Sequence, residues 1–98
     1  MTKQQVLRIL KAEKAKLQND FNIERIGLFG SFSKKTNQAA SDVDLLYTMK
    51  EGRYLKFDDK LNLQKYLKSK LKRRVDLVSA KYMNPAIQVK IQSELIYV

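Results

Sequence analysis

Gly30-Ser31, a ten-residue spacer (Phe32 to Ser41) and then Asp42-Val43-Asp44 constrain this chain more than any other stretch. An apolar run, Ile26 to Phe29, leads into the glycine, and a second run, Val43 to Leu46, carries the carboxylates. Glycine breaks a strand and lets backbone N–H groups approach an anion closely. Side chains two apart on a strand share a face. Asp42 and Asp44 are therefore expected on one face, their Cα atoms about 6.5–7 Å apart. Carboxylates that close repel and lose solvation unless a cation lies between them. A divalent metal beside a small-residue turn is a common way to hold a triphosphate. Taken separately, an ordinary turn and two solvent-facing residues on an amphipathic strand would also account for these residues.

The remaining pattern places that stretch between helices. Thr2 and Gln5 form a capping box, and Val6, Leu10 and Leu17 mark a helical stripe to about Gln18. Ile23 to Phe29 and Val43 to Met49 read as strands, and Ser31 can begin a short helix between them. Phe57, Leu61, Leu63, Leu67 and Leu71 mark a second long helix, with Asp58 and Asp59 in its first turn. Arg74 to Ser79 is a third strand. Asn84-Pro85 opens a last helix marked by Ile87, Ile91 and Leu95, and Ile96-Tyr97-Val98 is a short final strand candidate. The order αβαβαβα predicts an α/β sheet of three to four strands with flanking helices, in a single domain spanning 1–98. Tyr82, Met83 and Ile87 are expected in the core, with a partner-binding surface as the other option.

Asp76 interrupts an otherwise apolar strand, Val75-Asp76-Leu77-Val78. A mid-strand carboxylate is costly to bury unless it is paired or metal-bound. If this strand adjoins the second, Asp76 joins Asp42 and Asp44 on one face, an arrangement suited to two-metal phosphoryl transfer. A surface pair with Arg74 is the alternative. Lys34 and Lys35 follow the Gly-Ser turn closely enough to reach phosphates, or are exposed loop lysines.

Composition narrows the chemistry. The 98 residues include no cysteine and no histidine. Disulfides, thiolate sites, imidazole zinc sites and Ser-His triads are thereby excluded. Carboxylates, lysines, hydroxyls and a hard cation such as Mg²⁺ remain. Net charge is +10, from 20 Lys/Arg against 10 Asp/Glu. Such a field attracts nucleotides, nucleic acid or acidic partners, although lysines scattered on solvated helix faces would give the same total. No apolar run approaches a membrane span and the first residues do not resemble a signal peptide, so the expected location is the cytoplasm.

With these residues in place, the chain resembles the minimal nucleotidyltransferases of the DNA polymerase beta-like superfamily. The shared features are Gly30-Ser31, the spacer, Ser41 before Asp42-Val43-Asp44, Leu45-Leu46 after it, and Asp76 on a later strand. Relatives often carry Arg-Gly where this chain has Lys34-Lys35, which keeps one charge but loses the guanidinium fork. The resemblance implies the polymerase beta-like fold. It implies two Mg²⁺ ions on Asp42, Asp44 and Asp76 as catalytic and metal-binding residues. Gly30, Ser31, Lys34 and Ser41 would contact ATP, and Asp76 would help deprotonate an acceptor hydroxyl. It further implies transfer of AMP to a tyrosine of a partner HEPN-type ribonuclease toxin, as the antitoxin of such a pair.

Other functions stay open from sequence. One is a basic nucleic-acid-binding module, which the aromatic residues do not support because they do not interleave with basic ones as in a base-stacking platform. Others are a nucleotidyltransferase acting on a small molecule or RNA end, and a catalytically silent antitoxin that binds its partner.

Overall fold

The computed structural model describes residues 1–98. Helix α1 (Lys3–Asp20) starts at the expected capping box: Thr2 accepts from the Gln5 amide at 3.2 Å and the Gln5 side chain accepts from the Thr2 amide at 2.8 Å. It is followed by β1 (Ile23–Phe29), a short helix α2 (Gly30–Lys34), β2 (Val43–Met49), α3 (Phe57–Leu71) and β3 (Val75–Ser79). A 3₁₀ turn (Ala80–Tyr82) then leads to α4 (Pro85–Ile91) and β4 (Ile96–Tyr97). Asn84 caps α4 through its side chain, which accepts from the Ala86 amide at 2.8 Å. No helix is long and apolar enough to cross a membrane.

The four strands form one mixed sheet in the order β3-β2-β1-β4. β1 runs antiparallel to β2 and to β4, and β2 runs parallel to β3. The parallel pair is joined through α3, because strands that run the same way need a crossover connection. Alternation then sorts the side chains. Val43, Leu45 and Tyr47 from β2 and Leu77 from β3 pack with Ile26 and Leu28 from β1. Val6, Leu10 and Leu17 of α1 and Leu63, Leu67 and Leu71 of α3 complete this core. A register shift between Ile23 and Arg25 explains how Ile23 and Ile26 both reach it despite their odd spacing. The even-numbered positions of β2, Asp44 and Leu46, lie on the opposite face. There Leu46 and Ile91 are buried outside the main core cluster.

Phe57 (76 % exposed) and Leu61, which help mark α3, lie on its outer side, and the buried stripe is Leu63, Leu67 and Leu71. One expectation about side chains is corrected. Tyr82 (79 % exposed) and Ile87 are likewise at the surface and not in the core, since the 3₁₀ turn and α4 bury only Ile91.

β4 depends on one small residue. A Cβ at Gly27 would lie 2.8 Å from Leu95 Cδ1, 3.0 Å from Tyr97 Cδ1 and 3.2 Å from the Ile96 carbonyl oxygen. Beside it the Arg25 guanidinium stacks on Tyr97, 3.7 Å from the ring centroid. Gly27→Ala is therefore expected to lower stability by about 1–3 kcal/mol, the usual cost of overpacking. Urea denaturation measures this, with amide exchange at Ile96 to Val98 rising first. An unchanged midpoint would contradict the close approach.

Candidate active site

Phe29 is the last residue of β1, and Gly30 turns the chain into α2 with φ +76°. Only glycine adopts that conformation freely. It is also required by space, because a Cβ on Gly30 would lie 2.1 Å from Asp44 Oδ2. The sequence separates the turn and the carboxylate by the spacer, but the sheet closes them: Phe29 pairs with Asp44 across β1 and β2. Phe32 and Ser33 anchor the short helix by burial, while Lys34 stays exposed. Lys35 ends it in the left-handed conformation, φ 61°, a conformation that glycine adopts most freely.

The parallel ladder pairs Asp44 directly with Asp76. Adjacent strands lie about 4.8 Å apart, so the two carboxylates are immediate neighbours on one face. Asp42 lies two residues before Asp44, outside β2, and its Oδ1 accepts from Arg74 Nε at 3.2 Å. The alternative pairing of Arg74 with Asp76 is not what forms. Both members of the observed pair are well exposed, and such a pair contributes at most about 1 kcal/mol. A multivalent cation can displace it.

Burial, then Asp76, Asp42 and Glu94 in that order, push the Asp44 carboxyl from 3.8 up to about 6, against a smaller opposing pull from Lys34. Glu94 is the residue that sequence reasoning missed. It sits between α4 and β4, its side chain only 15 % exposed, and its Oε2 is 3.5 Å from Lys34 Nζ. That separation is an ionic contact, since Oε2 is buried and accepts no hydrogen bond. The Glu94 carbonyl also accepts from Ser33 Oγ, which ties α2 to the C-terminal segment. The one sequence signal was a carboxylate immediately before the apolar run Leu95 to Val98.

Of the expected residues, Gly30, Asp44 and Asp76 are brought together directly, with Ser31 beside Gly30 in the same turn. Asp42 adjoins them but is turned to Arg74, so no three carboxylates draw into a closed cluster. Lys34 reaches the group electrostatically. Ser41 Oγ accepts from the Gln38 amide at 2.8 Å and so shapes the approach to Asp42. A cleft of about 560 Å³ lies at the other ends of β2 and β3, bounded by Tyr47, Ser79, Tyr54 and Tyr82. Arg53 and Lys81 also line it, so aromatic and basic residues do adjoin there.

Residues 11–98 match the family described as Polymerase beta, Nucleotidyltransferase. The chain belongs to that family. It is 34 % identical over 99 residues to the protein adenylyltransferase MntA of Thermococcus cleftensis, covering all of this chain and 97 % of that protein. A solved structure of a provisionally assigned minimal nucleotidyltransferase superposes with a TM-score of 0.77 at 29 % identity, over 98 % of this chain and 95 % of the other. The fold is shared as well with a complex of a tri-AMPylated Shewanella oneidensis HEPN toxin and its MNT antitoxin (TM-score 0.66, 21 % identity, 99 % of this chain and 71 % of that one). The chain is thus a nucleotidyltransferase with the polymerase beta-like fold.

The donor set suits the metal that such chemistry implies. Carboxylate oxygens are ligands for a hard cation, and Mg²⁺ is usually held by one or two carboxylates together with substrate phosphates rather than by a closed protein cage. The raised Asp44 pKa and the Gly30 cradle against Asp44 Oδ2 both indicate a carboxylate that lacks compensating positive charge.

That imbalance has a measurable cost. A carboxyl whose folded pKa lies above its unfolded value stabilises the fold fully below the unfolded value, near 3.8, and loses that contribution as pH rises through about 6. Between these values the metal-free protein should lose stability that an uncharged side chain would keep. In EDTA at pH 7.5, Asp44→Asn is expected to be more stable than wild type by about 1 kcal/mol, allowing for solvent screening at a half-exposed group. The gap should close by pH 4. Denaturation curves at the two pH values test this, and an Asn variant no more stable at pH 7.5 would contradict it.

Proposed function

We propose that this nucleotidyltransferase moves AMP from ATP to a tyrosine hydroxyl of a HEPN-type ribonuclease toxin, and so acts as the antitoxin of a pair. The observation that carries this proposal is the register of Asp44 with Asp76 beside the Gly30 turn. The names and partners of the relatives support its extension to a protein acceptor. The setting is the cytoplasm, where ATP is supplied.

In this mechanism Gly30 and Ser31 hold the β- and γ-phosphates, with backbone N–H groups and a hydroxyl, and Lys34 offsets their charge. Asp42, Asp44 and Asp76 would hold two Mg²⁺ ions, with Asp42 released from its pair with Arg74. Bound there, Mg²⁺ would neutralise phosphate charge and lower the pKa of the acceptor hydroxyl. Asp76, the most exposed of the three on the edge strand β3, accepts the proton from the incoming hydroxyl. The freed oxygen attacks the α-phosphorus, and the bond to the β-phosphate oxygen breaks to release pyrophosphate. The exposed apolar side chains of Tyr82, Ile87 and Val89 offer surface on which a partner protein can seat.

Labelled ATP, Mg²⁺ and the product of the gene neighbouring this one test the proposal. Label should appear on a partner tyrosine, and Asp42→Asn/Asp44→Asn should lower transfer at least about 1,000-fold, a common cost when charge stabilisation in the transition state is lost. Equal label with the variant, or none with any divalent cation, would refute it. Gly30→Ala separates positioning from charge. Its Cβ collides with Asp44 Oδ2 while all three carboxylates remain, so transfer should fall about 100-fold. Transfer within a few-fold of wild type would show that the turn does not set the Asp44 geometry.

A further inference from the structure

Two arginines stand side by side in the connection from α3 to β3. Lys72 ends the helix in the left-handed conformation, φ 58°, and Arg73 and Arg74 are the last residues before Val75 opens β3. Both reach back to the spacer that leads into Asp42, but they hold different atoms. Arg73 Nη1 donates to the Ala39 carbonyl, and its guanidinium lies 5.6 Å from the ring centroid of Phe32, the fully buried anchor of α2. Arg74 holds the Asp42 carboxylate itself, Nε to Oδ1 at 3.2 Å.

The spacer depends on such ties. From Asn37 to Asp42 it forms no helix or strand, and none of it is buried. Its internal backbone hydrogen bond runs from the Ser41 amide to the Gln38 carbonyl at 3.0 Å. The hydrogen bonds that leave the segment all involve side chains: Asn37 Nδ2 on the Met1 carbonyl at 3.4 Å, and the two arginines. When Asp42 leaves Arg74 for Mg²⁺, the second arginine tie is lost. The Arg73 tie ends on a backbone carbonyl three residues earlier and does not depend on that carboxylate. It also spans two site elements, since the same guanidinium touches α2 and stands at the start of β3.

We propose that these neighbouring arginines act in opposite directions on the metal site. Arg73 is a positioning residue that braces the spacer between α2 and β3 and so keeps Asp42 in place to bind metal. Arg74 is a stand-in cation that competes with the metal for Asp42. The proposal rests on assigning the carboxylates to metal binding. Charge alone predicts something different. Two cations beside a cation site both oppose the metal, so loss of either one tightens its binding. Only a positional role makes loss of Arg73 weaken it, because the spacer must then be ordered at the moment of binding.

Titration with Mn²⁺, followed by its electron paramagnetic resonance signal without nucleotide or acceptor, tests the inference. Arg74→Ala should bind Mn²⁺ about two- to fivefold more tightly, the range expected when an exposed competing pair is removed. Arg73→Ala should bind it about threefold or more weakly, as preorganisation is lost. Amide exchange at Gln38 and Ser41 should quicken in Arg73→Ala while exchange at Leu45 and Leu77 does not, which separates local loosening from unfolding. Arg73→Lys keeps the charge but loses the planar fork, and serves if Arg73→Ala is unstable. It too should weaken binding, and undiminished binding by it is adverse. The proposal is overturned if Arg73→Ala binds Mn²⁺ as tightly as wild type or more so, if its spacer exchanges no faster, or if Arg74→Ala binds no more tightly. Tightening by both alanine variants overturns this proposal alone and leaves AMP transfer standing. Failure of wild type to bind Mn²⁺ overturns it together with the metal assignment.

Discussion

Asp44 and Asp76 cannot move apart without breaking the sheet. The parallel ladder fixes their backbones side by side, and the crossover through α3 fixes the ladder. Repulsion between the two is therefore built in, and burial of Asp44 makes it worse. The protein meets this with a space rather than a partner. Gly30 keeps its side empty where any Cβ would strike Asp44 Oδ2, and Asp42 is satisfied only by an exposed and easily displaced arginine. The result is a carboxylate group that prefers a cation and faces the turn suited to phosphate.

Charge is ordered around this point. The acidic group lies at the start of β2 and β3, and a cleft lined by Lys3, Lys34 and Lys90 adjoins the end of α2, where Lys34 also acts on Asp44. Ser33 and Glu94 tie the short helix to the C-terminal segment. β4 in turn is held against Gly27 and by the Arg25–Tyr97 stack. Packing at the sheet edge thereby holds the segment to which the short helix α2 is tied. Lys3, Lys34 and Lys90, which contribute to the net charge of +10, line that cleft.

Much of this was legible in the residues. The strands at Ile23–Phe29 and Val43–Met49 follow from their apolar bulk, and Asn84-Pro85 marks the start of α4. Asp76 stood out because nothing else in β3 explains a carboxylate. What escaped depends on contacts between distant segments. The Asp42–Arg74 pair requires the register of the parallel ladder, which no local pattern encodes. Glu94 enters the site only because β4 returns beside β1. Helical periodicity placed Phe57, Leu61 and Ile87 on apolar stripes. It could not show that the sheet ends before those turns, which leaves them in solvent.

A crystal structure of the protein with Mg²⁺ and a non-hydrolysable ATP analogue shows whether the Asp44 group takes a metal. Metal is expected in contact with both Asp42 and Asp44, with Arg74 released from Asp42 and the phosphates against Gly30 and Ser31. A bound nucleotide elsewhere, with Asp42 still paired to Arg74 and Asp44 free of metal, would contradict it.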